Sequence, residues 1–257
     1  MPALISGTAF PAIYGATYCG APPQPGSLLE RFNLDPVLIA ALAALLAIHI
    51  WANRRAGRPI GAAVAGWLIA AAAFCSPLCA LSVSLFAARI GQHMILILLA
   101  APLIALALPF SAPSRALWPA TVAFFAALWF WHMPLPYDST FLSTPVYWTM
   151  HISLFGSAIW LWHSLLRSRP DRAAGVLAAG TVASAQMGLL GAVLTLSSHA
   201  LFSAHYFTTE AWGFTPLADQ QLGGALMWVP GCLFFLWAAA RTFGLLWRLL
   251  EPAARPA

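Results

Sequence analysis

Of the chain's 257 residues, 61% are hydrophobic and only 7% charged, with a mean hydropathy of +0.80, whereas soluble domains carry about a quarter charged residues. That much apolar surface excludes an ordinary soluble fold, so length becomes a count of membrane spans rather than of domains. The net charge of +5 comes from twelve arginines scattered among helix ends, a pattern of topology signals and not of a nucleic-acid partner. Lysine is absent, which excludes a retinal protein, because its Schiff base needs a lysine amine.

Residues 1–34 lack a basic leader region and a small-residue cleavage pattern, so they are expected to stay attached as an extracytoplasmic segment. A span needs about 20 apolar residues, and seven such runs follow: 36–52, 60–81, 86–108, 117–131, 146–166, 174–197 and 222–250. The expected fold is all-α: a polytopic bundle of about seven transmembrane helices over 35–251, with a tail at 252–257. Arginines mark every second loop, at Arg54, Arg55 and Arg58, at Arg115, at Arg167, Arg169 and Arg172, and at Arg241, Arg248 and Arg255. Basic loops stay inside, which places the N-terminus outside, the C-terminus in the cytoplasm, and the chain in a multi-pass membrane.

Local signals fit this frame. Asp35 before Pro36 suits a helix N-cap, and Asp219 is expected to cap the last helix. Pro102 and Pro230 lie inside apolar runs and predict kinks. Gly180, Ser184 and Gly188 recur every fourth residue and predict close helix packing.

Polar residues within spans are costly and so are the first candidates for function. Arg89, Gln92 and His93 share one face of the third run. Their structural reading is that Arg89 snorkels outward while Gln92 and His93 bond across helices. His93, His132, His151, His199 and His205 all fall towards the outer side. Met94, Met133 and Met150 neighbour three of them, and imidazole with thioether suits copper, the cuprous ion above all. Taken singly, each histidine also reads as a hydrogen-bonded bundle residue. His49 and His163 lie nearer the cytoplasmic half and read as structural. The four cysteines are too few and dispersed for a disulfide scaffold. Cys75 and Cys79, in CSPLC, either bind copper, close a strained disulfide or pack as small apolar filler, and Cys232 reads as filler. No phosphate loop, nucleophile elbow or HExxH pattern appears, so no enzyme is expected.

The ordered motifs resemble the CtaG family of bacterial cytochrome c oxidase assembly proteins almost end to end. They are NLDP before the first run, CSPL ending the second, QHMILILLAAPLIALALP in the third, WHMPLPYDS after the fourth, and HYFTTEAWGFTPLADQQLGGALMWVPG entering the seventh. The resemblance implies a seven-span protein of the bacterial cytoplasmic membrane that helps an oxidase subunit mature, with copper delivery or insertion from the outer face. The family pattern often carries histidine and methionine four and three residues before its helix-three histidine, where this chain has Arg89 and Ile90. The expected copper ligands are His93, His132, His151 and His205 with Met94 and Met133. Arg89, Gln92, Asp219 and Gln220 are the expected supporting or docking residues. The competing readings are a haem-binding electron-transfer protein with His93 and His151 as axial ligands, and a transporter of copper or another small solute.

Overall fold

The structure is a computed structural model that describes residues 17–111, 115–167 and 172–250. The start of the N-terminal segment, Arg169 and the tail at 252–257 lie outside the described residues. Within them the fold is all-helical: α1 (Pro36–Arg55), α2 (Gly61–Cys75), α3 (Leu78–Ser84), α4 (Phe86–Ala107), α5 (Leu117–Trp131), α6 (Pro134–Ser139), α7 (Thr144–Leu166), α8 (Ala173–Leu196) and α9 (Pro216–Leu250). Every apolar run in the sequence is helical, the second being divided into α2 and α3.

Four helices, α1, α4, α8 and α9, are long and apolar enough to cross a membrane. The pair α2 and α3, bent by 48°, makes a fifth candidate if it is one broken span. The sequence expectation was seven. The difference has a physical source: α5, at 15 residues, rises only about 22 Å as a straight helix, and histidines, hydroxyls and indoles dilute the apolar character of α7.

Chain breaks are held by specific bonds. Asp35 accepts from the Val37 N–H at 2.9 Å and caps α1. Pro77 ends α2, and Asn33 satisfies the freed carbonyls there, its N–H bonding Cys75 O at 2.9 Å and its amide donating to Phe74 O at 3.3 Å. The NLDP motif therefore caps one helix while closing another.

α4 is π-helical over Ile95–Ala100. In that register Ala101 N–H reaches Leu96 O, so the next carbonyl, Ile97 O, would be served by residue 102, a proline without an N–H. The buried Trp162 indole on α7 supplies the missing donor, at 2.7 Å. Trp162→Phe should therefore leave a buried carbonyl unpaired at a cost of about 1–3 kcal/mol, read as a lowered melting temperature in detergent with helix content retained.

The apolar core runs through α4, α5, α7, α8 and α9, with a smaller cluster where α1 and α2 meet α4. The closest helix approach is α8 against α9, though not at the Gly180–Gly188 stripe. It falls one turn further on, where a Cβ on Gly224 would stand 2.7 Å from Gly191 O and one on Gly191 would stand 2.8 Å from Gly224 O.

α9 begins at Pro216, earlier than the sequence suggested, which puts Asp219 inside its first turn. Instead of capping its own helix, Asp219 accepts from Phe86 N–H at 2.6 Å and Ala87 N–H at 3.0 Å, the first donors of α4. A carboxylate suits such a position because helix N-termini carry unpaired N–H groups and partial positive charge.

The described part of the N-terminal segment, from residue 17 on, packs as a strap over the bundle. A disulfide joins Cys19 to Cys79, a pairing outside the three readings offered for Cys75 and Cys79, while Cys75 and Cys232 are free thiols. Tyr18 stacks on Tyr147 with ring centres 4.9 Å apart and donates to Asp35 at 2.6 Å. Burial and that bond push the Tyr18 phenol above its ordinary range, and the same bond, with Val37 N–H, holds Asp35 below the usual carboxylate range.

Candidate histidine cluster

α4, α5 and α7 bring His93, His132 and His151 together. The His93 ring lies 5.7 Å from that of His132 and 5.2 Å from that of His151, edge to face in both cases. All three are buried.

Their hydrogen bonding is one-sided. His132, just past the end of α5, contacts Leu128 O through Nδ1 at 2.6 Å, and His151 contacts Tyr147 O through Nδ1 at 3.0 Å. A carbonyl only accepts, so each Nδ1 carries the proton and each Nε2 keeps its lone pair. Both Nε2 atoms lack a partner, as do both ring nitrogens of His93. Buried polar atoms are nearly always satisfied, and holding one histidine nitrogen on a backbone carbonyl is how proteins aim the other at a metal. A metal about 2 Å from each nitrogen sets imidazole ring centres roughly 5 Å apart, close to the two separations seen. Among the described residues no group of three or more His, Cys, Asp or Glu is placed so that it could hold a metal ion as it stands. The cluster is a convergence of orphaned nitrogens rather than a preformed cage.

The surroundings are aromatic. Tyr147 lies 4.2 Å from His151 ring to ring and Phe74 lies 5.2 Å from it. The Tyr147 hydroxyl reaches Cys19 Sγ at 3.5 Å and Cys79 Sγ at 3.9 Å, so the disulfide and strap cover the cluster on that side. On another side, His151 lines an apolar groove of about 470 Å³ between α1, α2 and α7.

The remaining candidates take other positions. His205 lies away from the trio, bonded to the Tyr137 hydroxyl at 2.7 Å. Burial, reinforced by the charge of Arg89, pushes its imidazole down to about 3. Met94 packs in the apolar core and Met133 is half exposed. Gln92 donates to Ala73 O at 2.9 Å, leaving its Oε1 unpartnered. Gln220 ties down the end of α8 and the loop after it, accepting from Leu201 N–H at 2.6 Å and donating to Leu194 O and His199 O. Arg89 does not snorkel: it is 1% exposed, donates to Thr140 Oγ1 at 2.6 Å and lies 4.0 Å above the Phe141 ring. His49 accepts from the Trp67 indole and His163 bonds Phe110 O, matching their structural reading.

Sequence reasoning missed Tyr147 and the Cys19–Cys79 pair. The tyrosine had a legible signal, an aromatic one helical turn before His151; the disulfide had none, since 60 residues separate its halves.

Bundle and cluster together define a class: an all-helical, membrane-type protein with a buried, histidine-rich polar centre. Within that class the family is shown by sequence, because the profile of the cytochrome c oxidase caa3 assembly factor family (Caa3_CtaG) matches residues 43–121 and 112–249, and the chain belongs to that family. No curated protein and no solved structure matches the chain.

Proposed function

We propose that this protein is a non-enzymatic accessory factor that takes copper at the outer face of the bacterial cytoplasmic membrane and passes it to a cytochrome c oxidase subunit under assembly. Family membership supports the assembly role. The observation that carries the copper reading is the set of four unpartnered nitrogens on His93, His132 and His151 within one buried cluster. Neutral imidazoles suit copper, and three of them without a carboxylate suit an ion that must later be released. In this reading α2 with α3, and α5 and α7, join the four long helices to make seven passes, with the N-terminus outside. Haem ligation by His93 and His151 is disfavoured, because rings 5.2 Å apart and edge to face leave no slot for a macrocycle between them.

The test is the copper and haem content of detergent-purified protein under reducing conditions, wild type against the His93→Ala, His132→Ala double variant. About one copper per chain, lost in the variant, is the expected result. Haem in the wild type would replace this reading with electron transfer, and neither metal would leave assembly by protein contact alone. Deleting the protein should abolish oxidase activity in either assembly case.

A further inference from the structure

Arg89 is a buried cation whose neighbours include no carboxylate. Its guanidinium is held by Thr140 Oγ1, by the Phe141 face at 4.0 Å, and by the rings of Tyr137 and Tyr147 at 5.4 and 5.7 Å. Its Nε has no partner, and no Asp or Glu among the described residues pairs with it. Asp219, on the same end of α4, spends both oxygens on backbone N–H groups, and Asp138 accepts from Ser203. Arginine does not deprotonate in proteins, so this charge is permanent, and aromatic faces stabilise it without neutralising it.

The charge stands beside the histidine cluster. Arg89 precedes His93 by four residues on one helix, so the two side chains share a face. Tyr147, whose ring lies under the guanidinium, is also in ring contact with His151.

We propose that Arg89 makes the histidine cluster selective for monovalent over divalent metal ions. The inference rests on the copper reading above and adds what decides the ion's charge. Three neutral imidazoles would by themselves accept zinc as readily as cuprous copper. A fixed positive charge opposes any incoming cation in proportion to that cation's charge, so the affinity factor for a divalent ion is the square of that for a monovalent one. Taking a separation of about 8 Å, the reach expected between two side chains one helical turn apart, and an effective dielectric constant of about 20, the factors are roughly thirtyfold and roughly a thousandfold. Soft, linear or trigonal monovalent ions survive that penalty, while the abundant divalent ions are turned away. A moderate affinity also suits onward transfer.

The experiment uses silver(I), a redox-inert monovalent probe, and zinc(II), titrated into purified full-length protein in a Cys75→Ser, Cys232→Ser background so that no free thiol competes. Arg89→Met should tighten silver binding roughly thirtyfold and zinc binding roughly a thousandfold. Arg89→Lys, which keeps the charge, should preserve the wild-type preference. Arg89→Gln is a second neutral variant should the methionine protein fail to fold. Equal changes for the two ions, or no change in either, overturn the proposal while leaving the copper reading intact. If neither ion binds any variant, or if binding survives His93→Ala, His132→Ala, both this inference and the copper site fall.

Discussion

Asp219→Ala is expected to destabilise the detergent-solubilised protein by about 3 kcal/mol or more, because it strips two buried N–H donors of their shared acceptor at once. The residue links α9 to the start of α4 through Phe86 and Ala87 N–H, and it is fully buried. Its neighbour Gly223 provides the room for the Phe86 ring, since a Cβ there would stand 2.5 Å from it. The loss should therefore propagate along α4 to Arg89 and His93, lowering the melting temperature and, under the copper proposal, weakening copper retention with it. Asp219→Asn should fall between wild type and alanine, as a single amide oxygen can serve one N–H well while its NH₂ group opposes the other. Unchanged melting in the alanine variant would show that the α4 N-terminus does not need this cap.

The second large effect is expected for Cys19→Ser. The Cys19–Cys79 bond spans 60 residues, and closing a loop of that length is worth about 4 kcal/mol in the chain-entropy account. What it holds down is the strap. Without the bond, residues 17–24 keep the Tyr18 stacking and Asp35 contacts, the bond from Arg31 to Ala21 O at 3.0 Å and a long bond from Ser84 to Pro23 O at 3.4 Å. The expected outcome is faster amide exchange over 17–24 together with new reactivity of His151 towards an imidazole-modifying reagent, since Tyr147 is the group between the disulfide and that ring. Reduction of the wild type should reproduce the variant. Protection of His151 in both would show that the strap does not control access to the cluster.

Much of the design was legible in one dimension because its causes are local. Run length and apolar composition set out the helices, Asp35–Pro36 marked the start of α1, and the periodicity of Arg89, Gln92 and His93 put them on one face. The gathering of histidines near the same ends of the apolar runs marked the candidate cluster, and the family followed from motif order. Other features depend on contacts between residues far apart in sequence, which no local pattern encodes. DQQLGG was the most specific segment, yet its roles, capping α4, holding the loop after α8 and letting α8 approach α9, appear only when the helices meet. Likewise Pro102 predicted a disturbed helix, but the π-helical register and the Trp162 bond that completes it are properties of α4 against α7.

The sequence by itself determined that the chain is a helical membrane-type protein with its candidate ligands towards one side, because hydropathy and helical period are carried by neighbouring residues. Tertiary structure alone decided three further things. Three of the five outer histidines converge while His205 takes a tyrosine instead, Cys79 pairs with Cys19 rather than Cys75, and Arg89 is buried on aromatic rings instead of reaching water. Each is a choice of partner among residues 39 to 68 positions apart, and such a choice is set by how apolar faces pack, with polar groups bonding whatever that packing brings within reach.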